Sequence, residues 1–136
     1  MKVTVSRKAH FNAAHRLHNP SWDAIQNQNV FGKCNNANFH GHNYELIVHV
    51  TGDVDPATGY VIDMKILADF IYEEVEAPFD HKNLNLDVPD FAELNPTAEH
   101  IAYVIYHRLK KRMDERFEIE IELYETPRNF VKYSGQ

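Results

Sequence analysis

The chain has a single cysteine among 136 residues, so no intrachain disulfide can form and a reducing compartment such as the cytoplasm is the expected setting. It has no apolar run near the roughly 18 to 20 residues that a membrane helix needs. Its first residues, from Met1 to Lys8, lack the apolar core of a signal peptide. Positive charge is also scarce: 14 Lys and Arg face 20 Asp and Glu, a formal net charge of −6. General nucleic-acid binding draws on clustered cations, so that class is excluded, although a local basic pocket for one phosphorylated small molecule is not. There is no repeat, low-complexity segment or linker. Residues 1–136 therefore read as one domain, long enough for its own core.

What the chain does have is histidine, nine in all. Val3 to His15 alternates as a strand whose apolar face carries Phe11 and Ala13 and ends at His15. Phe39 to Thr51 alternates in the same way, with His40, His42, Tyr44, Leu46, Val48 and Val50 on one face. Three histidines thus end two apolar strand faces. Imidazole suits Zn²⁺, and a catalytic zinc commonly takes three protein ligands with one position open. His15, His40 and His42 are the expected metal ligands. There is no H-E-x-x-H helix, which disfavours a zinc hydrolase of that type.

Cys34 lies a few residues before this pair, in a loop rich in asparagine and next to Lys33. It is either a fourth ligand, closing a structural site, or a separate reactive thiol favoured as thiolate by Lys33 and a nearby metal. Asp80-His81 is either a surface pair or a carboxylate that fixes an imidazole tautomer for proton transfer. Glu125 falls on the apolar parity of the Arg116–Glu125 strand, so it needs a partner: an internal ion pair with Arg128, or an amino-substituted heterocycle that it anchors. His10 and His49 fall on the polar parity of their strands, and His18, His100 and His107 read as structural or surface residues.

Asp63 is a candidate N-cap for a helix through about Ala77, ended by Pro78. Thr97 is the expected N-cap of a second helix, with Glu99 in its first turn. A short helical piece through Phe31 is capped by Ser21 or Asp23, and Phe130 to Tyr133 forms a last strand. The order strand, strand, helix, helix, strand, strand predicts an α+β domain, a four-stranded antiparallel sheet with both helices on one face. Its two open edges favour pairing between subunits.

Read in order, Phe11-Asn12-Ala13-Ala14-His15, F-G-K-C-N-N-x-N-x-H-G-H-N-Y from Phe31 to Tyr44, Asp55-Pro56-Ala57-Thr58-Gly59, Asp80-His81-Lys82-Asn83-Leu84 and Tyr124-Glu125-Thr126 resemble the 6-pyruvoyl-tetrahydropterin synthase family over nearly the whole chain. The resemblance implies the tunnelling (T-) fold, whose subunits assemble through sheet edges into an oligomeric barrel, commonly a hexamer made as a dimer of trimers. It implies zinc on His15, His40 and His42, and 7,8-dihydroneopterin triphosphate as substrate. It also implies Cys34 as general base and not as ligand, with Asp80 and His81 handling protons from a neighbouring subunit. Glu125 becomes the anchor of the pterin ring, with Thr97 and Glu99 at the pterin pocket. Relatives that make 6-carboxy-tetrahydropterin, for queuosine synthesis, share the substrate. They commonly place three residues between the cysteine and His-Gly-His. Here five separate Cys34 from His40, as in the biopterin-pathway enzymes. A non-catalytic, zinc-stabilised pterin-binding protein is the alternative of another class. Phe39 replaces the glycine common before His-Gly-His in animal relatives and is expected to narrow the pocket.

Overall fold

The computed structural model describes residues 1–136. Two long strands, β1 (Lys2–His15) and β2 (His40–Asp53), pair antiparallel along their whole length. Between them lie α1 (Ala24–Phe31) and a 3₁₀ turn, Gly32–Asn35. Asp23 caps α1, its carboxylate accepting from Gln26 N at 2.7 Å. After β2 come α2 (Met64–Ile71), a π-helical turn over Tyr72–Glu76, and α3 (Ala77–Phe79). Then follow β3 (Lys82–Asn83), α4 (Leu84–Asp87), α5 (Ala98–Lys110), β4 (Glu118–Tyr124) and β5 (Phe130–Tyr133).

The sheet order is β3-β1-β2-β4-β5. Four antiparallel strands match the expected layout. The fifth, β3, is two residues long and pairs parallel with Ala13 and Ala14. Two residues are too few for any alternation to show, and the pairing depends on a turn at Asp80-His81 that local sequence does not announce. One face of the sheet is the core: Phe11, Tyr44, Leu46, Val48, Ile121 and Leu123 are all fully buried, together with Leu67 and Ile71 of α2 and Ile101, Ile105 and Leu109 of α5. Both main helices cover this face. The other face carries polar residues such as His49 and Glu122, which meet at 3.3 Å.

The helix that begins at Asp63 does not end at Pro78. The π turn widens the backbone just ahead of the proline, and helix resumes through Phe79. Pro78 has no N–H to offer the Glu74 carbonyl four residues back. Arg108 supplies the donor instead, Nη1 to Glu74 O at 3.1 Å. The same guanidinium holds Asp90 through Nε at 3.2 Å and Nη2 at 2.5 Å, and lies over the Phe79 ring at 5.2 Å. Arg108→Met is therefore expected to lower stability by about 1–3 kcal/mol in thermal or denaturant unfolding. The Asp90 carboxyl is held below its ordinary range, chiefly by the Arg108 hydrogen bonds. The unfolded chain then takes up this proton first as pH falls, so the pair's contribution is present at neutral pH and lost below the usual carboxylate range. In Arg108→Met that part of the acid dependence should flatten.

Candidate metal centre and active site

The β1–β2 register builds the centre. His15 pairs with His40 and Ala13 with His42, so all three imidazoles rise from one face of a two-strand ladder. A one-residue slip would send them to the other face. Ala13 is small where His42 needs room. The ring centroids stand 4.6 Å (His15–His40), 5.0 Å (His15–His42) and 4.9 Å (His40–His42) apart. One ligand nitrogen from each lies within 4.8 Å of the others.

The protonation pattern suits a cation. His15 Nδ1 donates to the Pro96 carbonyl at 2.8 Å, which leaves its Nε2 lone pair facing the cluster, 3.0 Å from His40 Nε2. The buried nitrogens His40 Nδ1 and His42 Nε2 have no hydrogen-bond partner. Such groups are costly unless something else satisfies them. Burial pushes the His15 pKa down to about 4, only partly offset by the Pro96 bond, and the neighbouring His40 and His42 push the same way. Burial likewise lowers that of His40. A neutral imidazole with its lone pair turned to the cluster, as at His15, is what a Zn²⁺ ligand must be.

Cys34 sits in the 3₁₀ turn, partly buried. It opens onto a cleft of about 680 Å³ shared with Gln28, Lys33, Asn36, His40 and His42. The atoms close enough together to share one ion are nitrogens of the three histidines, and the thiol is not one of them. A second cleft, about 530 Å³, brings together Thr97, Glu99, Glu125 and Arg128. Thr97 caps α5, its hydroxyl accepting from His100 N at 3.2 Å. Glu125 makes no ion pair with Arg128; its Oε1 instead stands 4.0 Å from His42 Nε2, joining this cleft to the histidines.

Asp80 and His81 do meet, Oδ2 to Nδ1 at 2.9 Å. The pair is fixed to the edge of β1: Asn12 N donates to Asp80 Oδ1 at 2.8 Å and His81 N donates to Asn12 O at 2.6 Å. The Asn12 N–H, then the His81 contact, hold the Asp80 carboxyl below its usual range. His81 is 77% exposed and lines a different cleft from Cys34, with Asn12, Gly41, Lys82 and Asn83; His42 is the one triad residue that borders both. The structure thus gathers Cys34 with His40 and His42, and Glu125 with Thr97 and Glu99, but leaves Asp80-His81 exposed on another cleft.

Phe39 and His81 are the non-glycine residues with positive φ, +67° and +60°. Each adjoins a candidate site residue, His40 or Asp80. The Phe39 side chain does not line the Cys34 cleft. It lines a neighbouring cavity with Pro20, Phe31, Phe91 and Leu94, which corrects the expectation that it narrows the pocket.

Sequence pattern did not single out Pro96, Tyr44 or Asn35. Tyr44 is fully buried, stacks on Phe11 at 4.9 Å, and places its hydroxyl 3.3 Å from His15 Nδ1. Burial, then Glu125 and Cys34, raise its pKa. Its place after His40 and His42 on one strand parity was the available signal. A backbone carbonyl such as that of Pro96 leaves none.

The model of the family described as 6-pyruvoyl tetrahydropterin synthase matches residues 4–136. The human 6-pyruvoyl tetrahydrobiopterin synthase is 42% identical over 135 residues, covering 99% of this chain and 93% of the human one. A 6-carboxy-5,6,7,8-tetrahydropterin synthase of Rickettsia conorii is 26% identical over 148 residues, covering 96% and 99%. Among solved structures, the 6-pyruvoyl tetrahydropterin synthase of Caenorhabditis elegans superposes with a TM-score of 0.94 at 37% identity, covering 100% of this chain and 97% of that one.

Proposed function

The chain belongs to the 6-pyruvoyl tetrahydropterin synthase family, an enzyme with that family's α+β T-fold, and on that premise we propose that it converts 7,8-dihydroneopterin triphosphate to 6-pyruvoyl-tetrahydropterin as a zinc-dependent lyase. The observation that carries this reading is the triad itself. Three imidazoles converge with two unpartnered buried nitrogens among them, and two of the three, His40 and His42, line a cleft that also holds a thiol.

His15, His40 and His42 would hold the zinc. When bound there it acts as a Lewis acid toward substrate side-chain oxygens, acidifying the adjacent C–H bonds. Cys34, as thiolate, removes a carbon-bound proton from the side chain. Triphosphate leaves with its bonding electron pair. The side-chain hydrogens move to the pterin ring, so no external oxidant or reductant is needed. Glu125 accepts hydrogen bonds from the amino-substituted edge of the ring, with Thr97 and Glu99 beside it in the same cleft.

The Asp80-His81 pair returns protons. Its outward setting supports a homo-oligomer, a hexamer as a dimer of trimers, in which the pair of one copy serves the cleft of the next. The short edge strands β3 and β5 leave sheet edges open for that assembly. The 42% identity to a biopterin-pathway enzyme, against 26% to a carboxy-forming one, favours the pyruvoyl product, as does the five-residue spacing after Cys34.

Incubation with 7,8-dihydroneopterin triphosphate tests the reading. Zinc-loaded protein should release inorganic triphosphate, chelator-treated protein should not, and added zinc should restore release. An intact substrate in the zinc-loaded sample would leave a binding protein instead.

A further inference from the structure

We propose that Asn35 is a positioning residue that sets where the Cys34 thiol stands relative to the histidine triad. This rests on Cys34 being the base. Cys34 lies in a loop flanked by Gly32 in a left-handed conformation (φ +57°) and by exposed Asn36. Nothing in the 3₁₀ turn itself fixes its distance from His15. A clamp does: Leu17 N donates to Cys34 O at 2.8 Å, Asn35 Nδ2 donates to Leu17 O at 2.7 Å and to His18 Nδ1 at 2.9 Å, and Arg16 Nε donates to Asn35 O at 3.0 Å.

Arg16, Leu17 and His18 follow the ligand His15 directly in the chain. They are fixed on their other side as well. Arg16 N donates to Asn85 Oδ1 at 2.8 Å, Asn85 Nδ2 donates to Arg16 O at 3.0 Å, and His18 N donates to Asn95 Oδ1 at 3.1 Å. Asn95 immediately precedes Pro96, whose carbonyl holds His15. The triad and the thiol thus hang from one rigid strap, and Asn35 is the side chain that closes it.

The chemistry demands a primary amide. Both N–H bonds of Nδ2 are used, on two acceptors, and Asn35 is buried. Aspartate would set a carboxylate oxygen against the Leu17 carbonyl, and alanine would leave that carbonyl unpaired. Glutamine is one methylene too long for the turn. Loss of the two Asn35 side-chain bonds leaves the turn held only through the Cys34 and Asn35 carbonyls and loosens the thiol, and a misplacement of about 1 Å can cost about 10²-fold in rate.

The test compares Asn35→Asp, Asn35→Ala and His18→Phe with the parent as zinc-loaded proteins. Readouts are zinc stoichiometry, kcat and KM on 7,8-dihydroneopterin triphosphate, and the rate of Cys34 alkylation by iodoacetamide. The Asn35 variants should keep stoichiometric zinc and a KM within about threefold, while kcat falls about 10–100-fold and alkylation of the loosened thiol quickens. His18→Phe, which removes one acceptor at a partly exposed position, should show the same split at smaller size and decides the matter if the Asn35 variants do not fold. Parental kcat per bound zinc, or a loss that only tracks zinc content, would overturn the proposal. Failure of the underlying reading looks different: Cys34→Ala would then turn over at the parental rate.

Discussion

Cys34→Ala is expected to lower turnover of 7,8-dihydroneopterin triphosphate by about 10²–10⁴-fold, with zinc content and KM little changed. The thiol shares a cleft with His40 and His42 but stands outside the cluster of three ligand nitrogens. Its loss therefore removes a proton acceptor and not a metal ligand. Cys34→Ser separates the two ideas further, because a hydroxyl fits the space and is a far weaker acid. It should be nearly as inactive as Cys34→Ala. If either variant lost its zinc in proportion to activity, the thiol would be a ligand after all, and the centre a closed Cys-His₃ site.

His40→Ala is expected to weaken zinc binding by more than about 100-fold, beyond the 10–100-fold typical of changes to groups that only orient a ligand. Activity at sub-stoichiometric zinc should vanish with it. The fold should survive, because His40 pairs with His15 through the backbone ladder and the truncation removes a side chain with an unpartnered nitrogen. Zinc-dependent stabilisation gives a second readout. Metal at 1,000 times its Kd stabilises a single-site protein by about 4 kcal/mol. That increment should appear in melts of the parent and be absent in His40→Ala. A zinc-dependent shift that persisted at parental size would place the metal elsewhere.

Alternation carried most of what could be read in advance. The apolar parity that runs Phe11, Ala13, His15 on one strand and His40, His42, Tyr44 on the next puts three imidazoles on one face from sequence alone. It also put Glu125 inward, where its carboxylate now stands 4.0 Å from His42. Period-2 patterns survive folding because a one-residue slip would exchange the core and solvent faces. What stayed hidden depends on contacts with no local signature. Pro78 reads as a helix stop, yet Arg108, thirty residues on, answers the Glu74 carbonyl that the proline leaves open. The parallel pairing of β3 with Ala13 and Ala14 spans two residues and nearly seventy positions of chain. Asn35 is one of five asparagines between Asn27 and Asn38, and composition marks the loop without saying which amide is buried. Phe39 shows the same limit: its neighbours in sequence put it beside the substrate pocket, whereas it lines another cavity, with Pro20, Phe31 and Phe91.

The most direct measurement is the mass of the pterin formed when zinc-loaded protein meets 7,8-dihydroneopterin triphosphate. Retention of all three side-chain carbons, with loss of triphosphate and no oxidant consumed, is the predicted result. A one-carbon carboxylate side chain would make this a 6-carboxy-tetrahydropterin synthase, and unchanged substrate would contradict catalysis altogether.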